Sequence, residues 1–376
     1  MRHPFHIYLN PAIWPMLVCL ISRPHCDQPI VLMKGVIMRA KLLCCLLYVF
    51  TMLSSGIAQY AWESRNPLAK GNDLYEVACG NDQFIAVGEC GTILTSPDGN
   101  KWTERTLGLK NNLNSVTYGN NQFYGNNQFF TIVGNNGIVL TSPDGIVWTA
   151  RSSGTTKSLN SVTYGNNQFI AVGDSGTILT TTDSATWTER PAGTTKSLNS
   201  VAYCNNQFIA VGDSGIILTS PDGATWIERS SGTTESLNSV TYGNNHFIAV
   251  GDDGTILISP DGANWAERIY RITSLKSVTY GNNQFIAVGE WGIYTSPDGL
   301  MWTKRYSSKT TWIRSITYDN NQFIAVGGGC IILTSPDGVT WTEKSPGTKK
   351  SLSSVTYGNN QFIAVGDDGT ILTSPD

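Results

Sequence analysis

The chain has 376 residues, only 14% of them charged, with 38 glycines and a formal net charge of −3. That composition suits many short strands joined by tight turns rather than long helices. It also excludes a nucleic-acid partner, because phosphate binding needs a lysine- and arginine-rich stripe.

Residues 1–37 carry no repeat and precede a segment with the layout of a secretory signal, so they read as an extension from an upstream start codon assigned in error. Met38-Arg39-Ala40-Lys41 is a basic start. Leu42 to Ile57 is an apolar core, and Gly56 and Ala58 are the small residues of a cleavage site before Gln59. Thr51, Ser54 and Ser55 interrupt that core, which is short for a membrane span. Residues 38–58 are therefore expected to be a signal peptide, with no transmembrane segment after cleavage. The product is expected to be secreted or to lie in the periplasm or envelope of a bacterial cell.

Cleavage removes five basic and one acidic side chain and leaves 20 positive against 27 negative charges. Cys79, Cys90, Cys204 and Cys330 remain, at unrelated positions of the pattern described next, and no disulfide pairing can be assigned from them.

Residues 59–376 form a single repetitive domain. Aligning Ser-Pro-Asp-Gly and its variants places aspartates at Asp98, Asp144, Asp183, Asp222, Asp261, Asp298, Asp337 and Asp376, 39 residues apart in five of the seven intervals. The first interval is longer because Tyr118-Gly-Asn-Asn-Gln-Phe123 is copied as Tyr124-Gly-Asn-Asn-Gln-Phe129, which should lengthen one hairpin.

Within a unit, Ser158 to Tyr164 is a β-prone run ending at Gly165-Asn166-Asn167, a hairpin turn. Gln168-Phe-Ile-Ala-Val172 is a strand covered on both faces. Gly173 to Gly176 is a turn, Thr177 to Thr180 a third strand and Trp187 to Arg190 a fourth. Four short antiparallel strands per unit make a propeller blade. The fold class is all-β, an eight-bladed β-propeller.

The last unit ends at Asp376 without its tryptophan strand, while Gln59-Tyr60-Ala61-Trp62 falls in register with Gly223-Ala-Thr-Trp226. The N-terminal strand is therefore expected to pair with the three C-terminal ones and close the ring.

The Ser-Pro-Asp-Gly-x-x-Trp segments ending at Trp102, Trp148, Trp226, Trp265, Trp302 and Trp341 resemble the Asp-box, or BNR, repeat of bacterial sialidase-like propellers, shortened by one residue between Asp and Gly. Thr181-Thr-Asp183-Ser-Ala-Thr-Trp187 departs further. The Val-Gly-x-x-Gly-Thr-Ile-Leu-Thr-Ser core is similar to that of photosystem II stability/assembly factor-like propellers. The resemblance implies that Asp98, Asp144, Asp183, Asp222, Asp261, Asp298 and Asp337 cap turn N–H groups and that their tryptophans pack the hairpins. It specifies the fold better than the task, since such propellers include enzymes, assembly factors and receptors.

After cleavage His246 is the one histidine, which argues against a Ser-His-Asp, Cys-His or histidine-rich metal site. No phosphate-loop or dinucleotide fingerprint is present, so no cofactor and no metal are expected. A sialidase needs an arginine cluster, a tyrosine with a carboxylate partner and an early Arg-Ile-Pro. The nearest match is Tyr270-Arg271-Ile272-Thr273, late and without proline.

A residue repeated in every blade builds the ring, so a ligand site should lie where blades differ. Three neighbouring loops break the pattern together: Arg268-Ile-Tyr270-Arg271, Glu290-Trp291, and Arg305-Tyr306-Ser-Ser-Lys309-Thr-Thr-Trp312. Nearby, Lys276 and Arg314 replace the asparagine of other units. The candidate ligand patch is Arg268, Tyr270, Arg271, Trp291, Tyr306, Lys309, Trp312 and Arg314. Exposed aromatics beside arginines suit a protein hot spot or a glycan platform; the alternative is drift in tolerant loops. The leading functional reading is an exported, monomeric, non-enzymatic scaffold that binds a protein. The rivals are a carbohydrate-binding or sialidase-like glycosidase and a structural cell-surface array.

Overall fold

The computed structural model describes residues 62–65, 71–121, 127–269, 273–345 and 348–374. The expected upstream extension and signal peptide lie outside these residues, as do Tyr270 and Arg271.

One blade shows how the sequence builds the rest. Strands Leu159–Gly165, Gln168–Gly173, Ile178–Thr181 and Thr188–Glu189 pair antiparallel in that order. Asn166 and Asn167 are both left-handed, which asparagine tolerates, and so make a two-residue hairpin turn. Phe169, Ile170, Ala171 and Val172 are all buried because neighbouring blades cover both faces of the second strand. Asp174–Gly176 is a short 3₁₀ turn with Ser175 left-handed.

Eight such blades follow. Six form separate four-stranded sheets, while the sixth and seventh are joined in a six-stranded one. The joining strands are Gln284–Ser296 and Thr303–Asp319, each spanning what are two strands elsewhere. Inner strands of successive blades pack on one another around the circle, with Leu74–Gly80 of blade 1 meeting Leu352–Gly358 of blade 8. Aromatic rings fill the blades: Tyr203 and Phe208 lie 4.7 Å apart, and Phe208 and Trp226 6.4 Å apart.

The ring closes as its ends predict. Glu63 pairs with Thr373 and Ser64 with Leu372. Trp62 is buried among Ile332 of blade 7 and Phe362 and Leu372 of blade 8. Arg65 Nε donates to Thr373 Oγ1 at 3.2 Å, the bond that Arg229 Nε makes to Thr219 Oγ1 at 2.8 Å in blade 4.

The copied segment lengthens the blade 2 hairpin by two pairs, Asn120 with Gln128 and Asn121 with Asn127. Its phase is not that of the Gln-Phe motif. Phe130, rather than Phe129, pairs with Tyr118 and enters the core, 4.8 Å from that ring. Phe129 therefore stands where every other blade except blade 5, which has His246, carries a glutamine. Those glutamines tie neighbours together: Gln168 Nε2 donates to Asp222 O and Gln361 Nε2 to Asp98 O, each at 2.7 Å. Phe129 cannot make that bond.

At the turn before each fourth strand, one aspartate oxygen collects two backbone donors. Asp98 Oδ1 accepts from the N–H groups of Asn100 and Lys101, each at 2.9 Å, while Trp102 Nε1 donates to Gly99 O. Equivalent pairs of bonds occur at Asp144, Asp183, Asp222, Asp261, Asp298 and Asp337. In blade 3 Ser184 takes the glycine position at positive φ, and Trp187 Nε1 and Ser184 Oγ are buried without a partner among the described residues.

The N–H groups of Thr340 and Val339 hold the Asp337 carboxyl at about 2. The Lys101 and Thr225 N–H groups likewise hold Asp98 and Asp222 below the usual carboxylate range. A carboxyl depressed in the folded state stabilises above its unfolded value, about 4, and that contribution is lost as pH falls through the folded value. The contribution of these aspartates to the melting temperature should therefore be nearly flat from pH ~7 to ~5 and drop steeply from ~4 to ~2. Replacing Asp222 with Asn should shrink the drop.

Candidate functional site

All eight blades have a β-bulge at the start of the inner strand, as in blade 3, where Leu159 and Ser161 flank the extra residue Asn160. A bulge re-aims its extra side chain. In blades 2 to 5 that side chain is an asparagine that latches the turn of its own blade to the next blade. Asn160 Nδ2 donates to Asp174 Oδ1 at 3.1 Å and Leu198 O at 3.0 Å, and Asn114, Asn199 and Asn238 do the same.

In the other four blades the bulge residue changes, and with it the network. Lys276 Nζ reaches back to Asp252 Oδ1 at 2.9 Å. Arg314 Nη1 reaches forward to Ser353 Oγ at 3.4 Å and lies 3.6 Å from Asp367 Oδ1. Ser353 is the blade 8 bulge residue and Tyr75 that of blade 1. Tyr75 Oη donates to Glu89 Oε1 at 3.2 Å and accepts from Asn112 Nδ2 at 3.1 Å. Half of this ring is thus a uniform latch and half is individual.

The irregular half borders two exposed indoles. Glu290 pairs across the sheet with Trp312, which brings the adjacent Trp291 alongside. Trp291 is 43% and Trp312 46% exposed, whereas Trp102, Trp148, Trp187, Trp226 and Trp302 are buried. Trp291 is also left-handed at φ 61°, in a turn position filled by Ser175, Ser214, Asp253 and Asp368 elsewhere. A bulky aromatic rarely takes that conformation, and the cost, of order 1–3 kcal/mol, is typical of sites where a side chain is held out for use.

The structure sorts the expected patch residues. Trp291 follows Glu290, which pairs with Trp312, and Arg314 lies two residues further along the strand of Trp312. Arg268 does not join them: it occupies the place of Arg190 and Arg229, whose Nε atoms bond Thr180 and Thr219. In blade 5 Ile258 replaces that threonine and Arg268 Nε is left without a partner among the described residues. Tyr306 is half-buried between blades 6 and 7, with Oη 3.4 Å from Glu343 Oε2. Lys309 lies in the strand Thr303–Asp319, its side chain outside the described residues, as are Tyr270 and Arg271. The segment 305–312, expected as a loop, is strand. It lacks the left-handed glycine, such as Gly154, Gly193 or Gly232, that breaks the chain in other connections.

Blade 1 departs from the other units as well. The rule that a site lies where blades differ applies to Leu74-Tyr-Glu-Val-Ala-Cys79, in which Glu76 replaces the serine of every other unit. Glu76 Oε2 accepts the Val116 N–H at 2.7 Å, the inter-blade bond that Ser161 Oγ makes to Val201 N–H at 3.3 Å. Burial pushes the Glu76 carboxyl above the usual range, against hydrogen bonds from Ser115 and Val116.

Two tyrosine–carboxylate pairs invite comparison with a glycosidase, Tyr75 with Glu89 and Tyr306 with Glu343. Burial, reinforced by the Glu89 charge, pushes the Tyr75 phenol up to about 12, the wrong direction for a nucleophilic phenolate. No group of three His, Cys, Asp or Glu side chains among the described residues could hold a metal ion, and no helix among them is long and apolar enough to cross a membrane.

Similar folds are widespread among solved structures. The computationally designed Ika8 protein superposes with a TM-score of 0.68 at 11% identity over 83% of this chain and 98% of its own. YCF48 bound to D1 peptide gives 0.58 at 18% identity over 84% and 95%. YCF48 from Cyanidioschyzon merolae gives 0.53 at 18% over 70% and 95%. At these identities the likeness is one of fold. No curated protein sequence matches the chain. Residues 57–304 match the family described as photosynthesis system II assembly factor YCF48. With well over half its length matched, the chain belongs to the photosynthesis system II assembly factor YCF48 family.

Proposed function

We propose that this chain is an exported, non-catalytic propeller that holds a partner protein during assembly of a larger complex, with the irregular sector of blades 6 to 8 as the docking face. The observation that carries the reading is the break in the bulge-residue ring beside Trp291 and Trp312, in a scaffold whose blades 2 to 5 are latched alike. The family's assembly role and the solved YCF48 with its D1 peptide support a protein as the partner. Export rests on the expected leader at residues 38–58.

Tagged protein and a Trp291→Ala/Trp312→Ala variant, recovered from the native cell extract, test the reading. At least one co-purifying protein should fall by about tenfold or more in the variant, as for loss of an aromatic hot spot. Equal recovery of every partner by the two proteins would remove this face from the function. Hydrolysis of a fluorogenic glycoside would favour the glycosidase instead.

A further inference from the structure

We infer that the face carrying the Asp-box turns docks shallowly on an uncharged lipid bilayer, through apolar side chains at the tips of the turns in blades 2, 6 and 7. The inference goes beyond the protein-binding reading above and does not rest on it. Four features point to it.

The first is placement. The second and third residues after each capping aspartate form the tip of its turn. In blades 3 to 5 they are Ala185-Thr186, Ala224-Thr225 and Ala263-Asn264, all small or polar. In blades 2, 6 and 7 they are Ile146-Val147, Leu300-Met301 and Val339-Thr340. The five apolar side chains are exposed, Val147 at 63% and Met301 at 70%. Ring-building asks for nothing apolar here, because the other blades do without it.

The second is shape. Bonds from Asn244 Nδ2 to Pro297 O at 3.3 Å and from Asn359 Nδ2 to Pro97 O at 3.2 Å keep the turns of successive blades on one face. Blade 2 stands across the ring from blade 6. Convex tips on opposite sides of a ring are met together by a flat apolar layer, whereas one extended segment would reach only one side.

The third is the cost of leaving water. Asp144 Oδ1 accepts the N–H groups of Ile146 and Val147 at 2.8 and 2.9 Å, and Asp298 Oδ1 those of Leu300 and Met301 at 2.8 and 3.3 Å. Asp337 Oδ1 accepts that of Val339 at 2.9 Å. A bare backbone donor is expensive in lipid, and these tips enter with theirs already bonded. Besides the capping aspartates, the charged side chains in the described turns of this face are Asp82, Asp319 and Lys101. That acidic balance sets anionic headgroups against the face and leaves uncharged ones unopposed.

The fourth is chain direction. Glu63 and Ser64 run antiparallel to Ile371–Ser374, so the chain enters the ring from the Asp-box face at Trp62. Ala58-Gln59-Tyr60-Ala61 joins that point to Leu42 to Ile57, the apolar core of the expected leader. Export along this chain brings the Asp-box face to the bilayer first. Trp291, in a turn of the opposite face, is then left for a partner.

Flotation with phosphatidylcholine vesicles, and with vesicles containing about one-fifth phosphatidylglycerol, tests the inference on the purified protein. The parent should bind phosphatidylcholine with less than a ~2-fold change between about 50 mM and about 500 mM NaCl. Leu300→Ser/Met301→Ser should weaken binding by ~10-fold or more and Val147→Ser by ~3-fold or more, as each CH₂ kept out of lipid costs about fourfold. Thr225→Leu, which adds an apolar tip to blade 4, should tighten it by ~3-fold or more. Trp291→Ala/Trp312→Ala should leave it within ~2-fold. Polar residues already occupy these tips in blades 3 to 5, and matching thermal melts would show that the variants remain folded.

Absence of vesicle binding by the parent would overturn the inference. So would binding that the tip variants leave unchanged, which would assign membrane association to the leader. Binding confined to anionic vesicles and lost at high salt would replace the apolar contact with a charged one. Self-association that the tip variants abolish, seen by sedimentation velocity without lipid, would make these tips an interface between copies. Partner capture through Trp291 and Trp312 is measured on the other face, so either reading can fail while the other stands.

Discussion

Trp62→Ala is expected to destabilise the protein by about 3–5 kcal/mol, the usual cost of emptying a buried tryptophan site. The fourth strand of blade 8 holds its place by two paired residues, by Arg65 on Thr373, and by the Trp62 indole in the gap between blades 7 and 8. A strand that short adds little as a ladder, so the indole is its main anchor. Without it the strand Ile371–Ser374 becomes a free edge in an otherwise closed ring. Urea unfolding should show the loss, and aggregation should rise at concentrations that the parent tolerates. Trp312→Ala, at an exposed position, should change stability by less than about 1 kcal/mol. Equal stability of parent and Trp62→Ala would mean that closure does not depend on this strand.

A single methyl group should do comparable damage at Gly212, where Gly212→Ala is expected to cost on the order of 3 kcal/mol or more. The residue is extended at φ −173°, so the dihedral angle is not the difficulty. Its Cβ would stand 2.0 Å from Ser197 O and 2.8 Å from Leu198 Cα, both rigid backbone. The bulge that re-aims Asn199 is what brings the start of the inner strand over the end of the second. Alanine must therefore part the strands, stretching the 2.9 Å bond from Asp213 N–H to Ser197 O and displacing the Asn199 latch. Gly328→Ala, with its nearest contact at 3.7 Å, is the control and should stay within about 1 kcal/mol. Similar unfolding midpoints for the two variants would refute the close-approach explanation.

The two cases differ in how far the sequence anticipates them. Trp62 and Arg65 stand in the register of Trp226 and Arg229, so the closing strand could be found by laying one end of the chain against another unit. Gly212 recurs in every unit, but a recurring glycine announces a turn as readily as a close approach, and only the bulge shows which it is. The copied hexapeptide of blade 2 has the same ambiguity. It offers Phe123, Phe129 and Phe130 to one core position, and the choice of Phe130 depends on pairing with Tyr118 across a lengthened hairpin.

The candidate site divides along the same line. Trp291, Trp312 and Arg314 were legible because each departs from a residue seen in neighbouring units. Arg268 shares an irregular loop with them in sequence, yet its position is a regular one whose partner threonine has become Ile258. Tyr75 and Ser353 belong to the same ring of bulge residues but are far apart in sequence from Arg314.

What the sequence by itself determined is what recurs from unit to unit, namely strand order, turn chemistry, the capping aspartates and the aromatic fill, together with the closure of the ring, whose two ends complete one such unit. A periodic pattern states the same local physics repeatedly, and each copy checks the others. What only the tertiary structure decided is which unrepeated residues meet, because a circular fold joins blade 8 to blade 1 and lets a bulge turn a strand residue toward its neighbour. Those contacts form across blade boundaries, where no spacing along the chain records them.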